Sequence, residues 1–239
     1  MLCGLAASAQ TQPSLTLSNA PAPNPWVSSA AAGLTVTSGN SDSVQFNAEV
    51  GTERKWDKNE IKLGADALYG KADGKENANS IHAGGQYNRF VMERTYGYFK
   101  LDALHDEIAD VIYRVTLSPG VGYYFIKQPK TTLTGEFGPG FITEKYPNST
   151  PDSYATLRLA ERLEHKVSDT AKVWEAVEVL PQIDKFTKNY IINAEIGAES
   201  AMSAKLALQL KAVDTYHSEP ANGRKKNDLK LIAAVKYSF

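Results

Sequence analysis

Residues 225–239 read KKNDLKLIAAVKYSF, and their spacing decides the fold. Leu229, Leu231, Ala233, Val235, Tyr237 and Phe239 share one face of an extended strand. Asp228, Lys230, Lys236 and Ser238 fall mainly on the other, with Ile232 and Ala234 between them. An apolar strand in last place leaves unpaired N–H and C=O groups at an open sheet edge, which invites aggregation. Closing the sheet into a barrel removes that edge by pairing the last strand with the first. The alternative reading of this segment alone is an ordinary antiparallel strand.

Outward from that segment, extended stretches and turn signals alternate back to Trp26. Twelve strands are expected: residues 27–37, 43–53, 59–70, 79–90, 95–105, 111–125, 131–144, 152–166, 171–181, 189–201, 204–217 and 225–239. Most reach the roughly 9–11 residues that a tilted strand needs to cross a bilayer, whereas ordinary globular strands average about 5–6. Their faces alternate. Val44, Phe46, Ala48 and Val50 oppose Gln45, Asn47 and Glu49, and Tyr113, Val115, Leu117, Val121, Tyr123 and Phe125 oppose Arg114, Thr116, Ser118 and Tyr124. No helix-period segment is long enough to cover these apolar faces, so lipid is their natural solvent. The expected fold is all-β, an antiparallel up-and-down transmembrane β-barrel of about twelve strands.

The composition is compatible with this. A chain of 239 residues fits one barrel, and a net charge of -1 gives no basic footprint for nucleic acid. Mean hydropathy of -0.35 suggests a water-soluble protein, but a barrel with lipid-facing and lumen-facing residues in alternation averages to the same value. No apolar run reaches the length of a spanning helix. Residues 1–10 (MLCGLAASAQ) resemble the tail of a secretory signal with an A-x-A site at Ala7-Ser8-Ala9, and residues 11–25 read as a flexible periplasmic leader, leaving 26–239 for the barrel.

The connections sort by side. Those after even strands are tight (54–58, 91–94, 126–130, 167–170, 202–203), while 71–78, 145–151 and 218–224 are longer. Short periplasmic turns, longer outer loops and both termini in the periplasm are the expected arrangement. Trp56, Phe90, Tyr96, Phe125, Tyr237 and Phe239 would form the periplasmic girdle, and Tyr69, Phe141, Tyr146, Phe186, Tyr190 and Tyr216 the outer one. Two strands fit poorly. Glu161 falls on the outer face of the eighth, which a bulge or an interfacial position would relieve, and the ninth has no clean register.

Thr37-Ser38-Gly39-Asn40-Ser41-Asp42 in the first hairpin, Leu180-Pro181, Lys226-Asn227-Asp228 and the closing Tyr237-Ser238-Phe239 together resemble the YdiY-like family of salt-induced outer-membrane proteins over about residues 26–239. The resemblance implies an outer-membrane β-barrel with no cofactor and no catalytic residues to carry over. It is also the sole basis for a link to salt stress. The ending itself resembles the C-terminal strand of bacterial outer-membrane barrels, which implies that a last strand carrying Val235, Tyr237 and Phe239 is read by the barrel-assembly machinery.

The functional expectation therefore rests on the lumen. Lys62, Lys100, Arg114, Arg158, Arg162, Lys205, Lys211, Lys230 and Lys236 point inward, balanced by Glu49, Asp66, Asp102, Glu136, Glu164, Glu195, Glu199 and Asp228. Near-equal signs argue for pairing across the interior, giving a narrow pore for ions or small solutes or a structural, plugged barrel. An enzyme is not expected. His82, His105, His165 and His217 lie in no nucleophile motif, so an outer-membrane lipid hydrolase would need a His–Ser pair on the outer wall. The acids Asp102, Asp106, Glu107 and Asp110 could bind a divalent cation but lack an EF-hand pattern. A soluble ligand-binding barrel would need the Leu and Phe positions to face inward.

Overall fold

The structure is a computed structural model, and it describes residues 26–38, 43–72, 75–107, 111–220 and 225–239. The signal-like segment, the leader, most of the Gly-Asn turn and Asp110 lie outside the described residues. Twelve strands form one closed barrel: β1 (Trp26–Ser38), β2 (Ser43–Trp56), β3 (Asn59–Ala72), β4 (Lys75–Phe90), β5 (Thr95–Asp106), β6 (Val111–Lys127), β7 (Thr131–Lys145), β8 (Asp152–Lys166), β9 (Ala171–Pro181), β10 (Tyr190–Ala201), β11 (Leu206–His217) and β12 (Asn227–Ser238). Each pairs antiparallel with its sequence neighbours. Ladder bonds from Ser29↔Ser238 to Ser38↔Leu229 join β12 to β1, and Ser28 and Phe239 exchange two further backbone bonds of 3.2 and 3.0 Å. The edge that the final segment would have exposed is thus abolished.

Alternation determines which way each side chain points. Leu34, Phe46, Val50, Phe99, Val121, Phe125, Phe137, Leu208, Leu210, Leu231 and Val235 are exposed on the outer wall. Lys100, Arg114, Arg158, Lys172, Glu178 and Glu195 are buried inside. This inverts the arrangement of a soluble ligand-binding barrel and rules out that reading of the fold. Among the described residues no helix is long and apolar enough to cross a membrane, which says nothing of spanning strands. The only helical turn among them is the 3-10 segment Ile183–Lys185 between β9 and β10.

The structure departs from the sequence expectations in several places. Residues 71–78, expected as a long loop, belong mostly to the strands, which run to Ala72 and resume at Lys75. Phe90 and Tyr96, expected on the girdle, instead cluster with Tyr124 inside the tight-turn rim, with ring centroids 5.2 to 6.1 Å apart. Both occupy even positions, which face the lumen in β4 and β5. Tyr146 is bound to lumen groups, its hydroxyl meeting Arg114 Nη2 at 3.0 Å. The remaining members of the two girdles stand on the outer wall or its rims, including the stacked pair Tyr190–Tyr216 at 5.9 Å.

The eighth and ninth strands pair without a register shift, so no bulge relieves Glu161. Glu161 and Glu175 both face outward, and Lys172, Trp174 and Glu178 face the lumen. Pro119 and Pro139 interrupt the β6–β7 ladder, whose register passes from Leu117↔Phe141 to Val121↔Phe137, because neither offers an N–H to it.

Candidate functional site

The lumen is built by every second residue of each strand, and its centre is Arg158 on β8, which is 0% exposed. Its Nε donates to Glu178 Oε1 on β9 at 2.6 Å and its Nη1 to Glu136 Oε2 on β7 at 2.7 Å. The guanidinium carbon lies 5.1 Å from the Tyr98 ring centroid, three strands away on β5. Lys100, also on β5, reaches Glu178 at 3.4 Å and Asp102 at 2.5 Å. Asp102 in turn meets His82 Nε2 at 3.3 Å, and Asp66 meets His82 Nδ1 at 2.8 Å. A chain of charges therefore links β3, β4, β5, β7, β8 and β9. Glu136 Oε1 also accepts from Tyr96 Oη and Gln86 Nε2, each at 2.7 Å. Such cross-lumen contacts bridge strands that are not neighbours in the sheet, so they close the interior on this side.

A second group runs from β8 through β12 and reaches β2. Lys211 bonds Glu49 at 2.7 Å across the β11–β12–β1–β2 wall. Glu199 takes Lys236 at 3.0 Å and Lys172 at 3.7 Å, and Glu195 takes Trp174 Nε1 at 2.5 Å and Arg162 at 3.7 Å. Arg162 also lies 3.9 Å from Glu164. Lumen-facing positions on β1, β2 and β3 include the small Ala31, Gly33, Gly51 and Gly64. Beside them the Asp66 carboxylate keeps 38% side-chain exposure, against 1% for Arg158.

Each mouth has its own cluster. At the tight-turn rim, Glu60 lies 2.9 Å from Lys55 and 3.3 Å from Lys62, and accepts from Asn88 Nδ2 at 2.6 Å. At the opposite rim, Arg114 Nε pairs with Glu144 at 2.6 Å, and Tyr146 and Tyr154 donate to the same carboxylate at 3.2 Å each. Asp228 is buried and Lys230 half-buried on the lumen side of β12.

All the expected lumen residues are thus brought to the interior except one. Lys205 lies in the turn before β11, exposed, with its Nζ 3.5 Å from Tyr237 Oη. The strand starts at Leu206, two residues later than expected, so its alternation does not extend to Lys205. Sequence reading misses the lumenal Glu53, Lys55, Glu60, Asp106, Glu144, Lys166, Lys172 and Glu178. Glu60 and Glu144 share the parity of Lys62 and Glu136, a signal that was available. Lys172 and Glu178 were hidden by the ambiguous ninth strand. Val235 and Tyr237 face outward on β12, and Phe239 follows them, exposed, just beyond its end.

Two histidines are lumenal, His82 and His217. Two face outward: His105 Nδ1 lies 2.8 Å from the Ile112 carbonyl, and His165 Nδ1 lies 2.9 Å from Thr131 Oγ1. The outer-wall hydroxyl beside a histidine is therefore a threonine. Asp102 and Asp106 of the acidic group point into the lumen, away from exposed Glu107, and among the described residues no group of three His, Cys, Asp or Glu side chains is arranged to hold a metal ion.

Comparison with known proteins agrees with this architecture. The NanC porin structure superposes with a TM-score of 0.60 at 6% identity, covering 88% of this chain and 98% of that one. The KdgM porin in complex with disordered oligogalacturonate gives 0.53 at 8%, covering 88% and 99%. The translocator domain of the autotransporter NalP from Neisseria meningitidis gives 0.53 at 14%, covering 92% and 90%. At these identities the likeness is one of fold. In sequence, the Escherichia coli (strain K12) protein described as "Uncharacterized protein YdiY" is 24% identical over 226 residues, 92% of this chain and 86% of the relative. The family model described as "Protein of unknown function, DUF481" matches residues 30–239, and the chain belongs to that family.

Proposed function

We propose that the protein is a non-enzymatic barrel of the bacterial outer membrane whose lumen is a narrow, ion-paired path for small ions or solutes, preferring cations. The observation that carries the reading is the division of the lumen: a closed, bulky side around Arg158 and a side of small residues where Asp66 retains exposure. Beyond the residues expected from the sequence, the lumen holds the carboxylates Glu53, Glu60, Asp106, Glu144 and Glu178 and the cations Lys55, Lys166 and Lys172, and it lacks Lys205. That excess of acid, with Asp66 and Glu49 beside the small residues of β1, β2 and β3, favours cations in transit. An apolar outer wall with aromatic rims suits lipid as the surrounding solvent. In this reading the tight turns face the periplasm, and the outward Val235, Tyr237 and Phe239 are what the assembly machinery meets.

The test is the current carried by detergent-refolded protein in a planar bilayer, with heat-modifiable gel mobility as the check on folding. The expected result is a small, steady conductance with a reversal potential on the cation-selective side, moved toward zero by Asp66→Asn combined with Glu49→Gln. Folded protein without current would overturn the pore in favour of a structural barrel. Solubility without detergent would overturn the membrane assignment.

A further inference from the structure

On the outer wall at the tight-turn rim, Arg54 of β2 is clamped between two indoles. Its guanidinium carbon lies 5.6 Å from the Trp26 ring centroid and 5.4 Å from that of Trp56. Its Nε is buried without a hydrogen-bond partner, and no acceptor or carboxylate among the described residues satisfies the group. Two strands away, Arg89 of β4 faces the same way. Its Nη1 donates to Asn59 Oδ1 at 2.9 Å, an oxygen that also accepts from Tyr87 Oη at 2.7 Å. Trp56 and Tyr87 lie 6.5 Å apart and join the two arginines into one patch. The nearby carboxylates Glu53 and Glu60 point into the lumen, where Lys55 neutralises them. The turn adds exposed Lys58 and Asp57.

A guanidinium stacked on aromatic faces keeps its in-plane N–H groups directed outward, a geometry suited to phosphate oxygens. Leaving such donors unsatisfied at a membrane interface is costly. Toward mid-bilayer from the patch run the outward apolar side chains Ile61, Leu63 and Val50, a track for acyl chains. We infer that Arg54 and Arg89, framed by Trp26, Trp56 and Tyr87, form a binding site for the phosphodiester headgroup of a glycerophospholipid in the leaflet at the tight-turn rim. The inference rests on the membrane reading above. The lipid is the favoured source of phosphate because the anion site and the acyl track are contiguous on one lipid-facing surface.

The test is native mass spectrometry of the refolded full chain released from detergent, titrated with phosphatidylglycerol, phosphatidylethanolamine or diacylglycerol, with inorganic phosphate as competitor. Heat-modifiable mobility confirms that each variant is folded, and its failure in the wild type would refute the membrane reading rather than this site. Wild-type protein should retain both phospholipids and not diacylglycerol. Arg54→Gln and Arg89→Gln should each lower retention about tenfold, the worth of one charge-assisted hydrogen bond, and Arg54→Lys should restore it only in part. Equal retention by the glutamine variants, or by diacylglycerol, would overturn the site. Displacement of the lipid by millimolar inorganic phosphate would make it a free-anion site and overturn the lipid assignment.

Discussion

Replacing Arg158 by methionine removes the charge at the centre of the lumen while keeping a side chain of similar length. Arg158 is fully buried and makes two short charge-assisted bonds, 2.6 Å to Glu178 and 2.7 Å to Glu136. Neither carboxylate is left bare by the change. Glu136 keeps Tyr96 and Gln86 as donors, and Glu178 keeps Lys100 and Asn193. What is lost is one charge-assisted bond on each, and two buried anions now lie near one another with less compensation. At about 1.5–3 kcal/mol for each bond, a loss of roughly 3–5 kcal/mol is expected, in the range for breaking a buried pair. Urea unfolding of the liposome-inserted barrel, followed by loss of heat-modifiable mobility, would show the midpoint fall. Neutralising the partners as well, in Arg158→Met/Glu136→Gln/Glu178→Gln, should restore most of the loss, because a well-packed neutral set is about as stable as a buried ion triad. A single variant as stable as the wild type would refute the central role of Arg158. A triple variant as unstable as the single one would show that its packing, and not its charge, is what matters.

Two further predictions probe the opposite faces of the wall. Glu161 projects into lipid about 13 Å from the tight-turn end of β8, estimated from five residues of a strand tilted by about 40°. Glu161→Leu should therefore stabilise the liposome-inserted barrel by about 1 kcal/mol in the same urea assay, and destabilisation would mean that the carboxylate has a partner in the membrane. Inside the lumen, a Cβ on Gly197 would stand 2.1 Å from Trp174 Cζ2. Gly197→Ala should push the indole off Glu195 and cost about 1–3 kcal/mol. With Trp26 and Trp56 changed to Phe, the emission of Trp174 reports the displacement, and an unchanged spectrum would refute the packing described.

The fold was legible in the sequence because a strand of period two writes its environment into alternate residues, and lipid on one side with charge on the other makes the contrast large. β6 and β12 were readable residue by residue for this reason. The lumen inventory was nearly as legible, since parity alone places Arg114, Glu136 and Arg158. What failed were positions where parity is not the deciding term. Lys205 lies beyond the end of its strand, in a turn. Residue type alone points Phe90 and Tyr96 to the membrane rim, but they face a lumen mouth where Gly122, opposite Tyr96, leaves room for an aromatic ring; a Cβ there would stand 2.2 Å from Tyr96 Cζ. In β9, Glu175 and Glu178 fall on opposite faces, so charge could not vote for a register. Trp174, Glu178 and Lys172 were lost with it, and with them the partner that completes the Arg158 cluster.

The pairing of so many charges is better understood as a shape constraint than as a source of stability. Buried ion pairs gain little over apolar packing once desolvation is counted, whereas the closed backbone ladder and the lipid-facing wall are present whatever fills the interior. A lumen filled by apolar side chains would collapse to a dry core with no path. One lined by unpaired charges would leave those side chains free to adopt many positions. Pairing Arg158 with Glu136 and Glu178, Lys100 with Asp102, and Lys211 with Glu49 fixes long side chains against named strands. The arrangement leaves Asp66, held by His82, partly exposed beside the small residues of β2 and β3. On this argument the neutralised triple variant would recover stability yet alter conductance, because the property that the ion pairs secure is where the side chains are held.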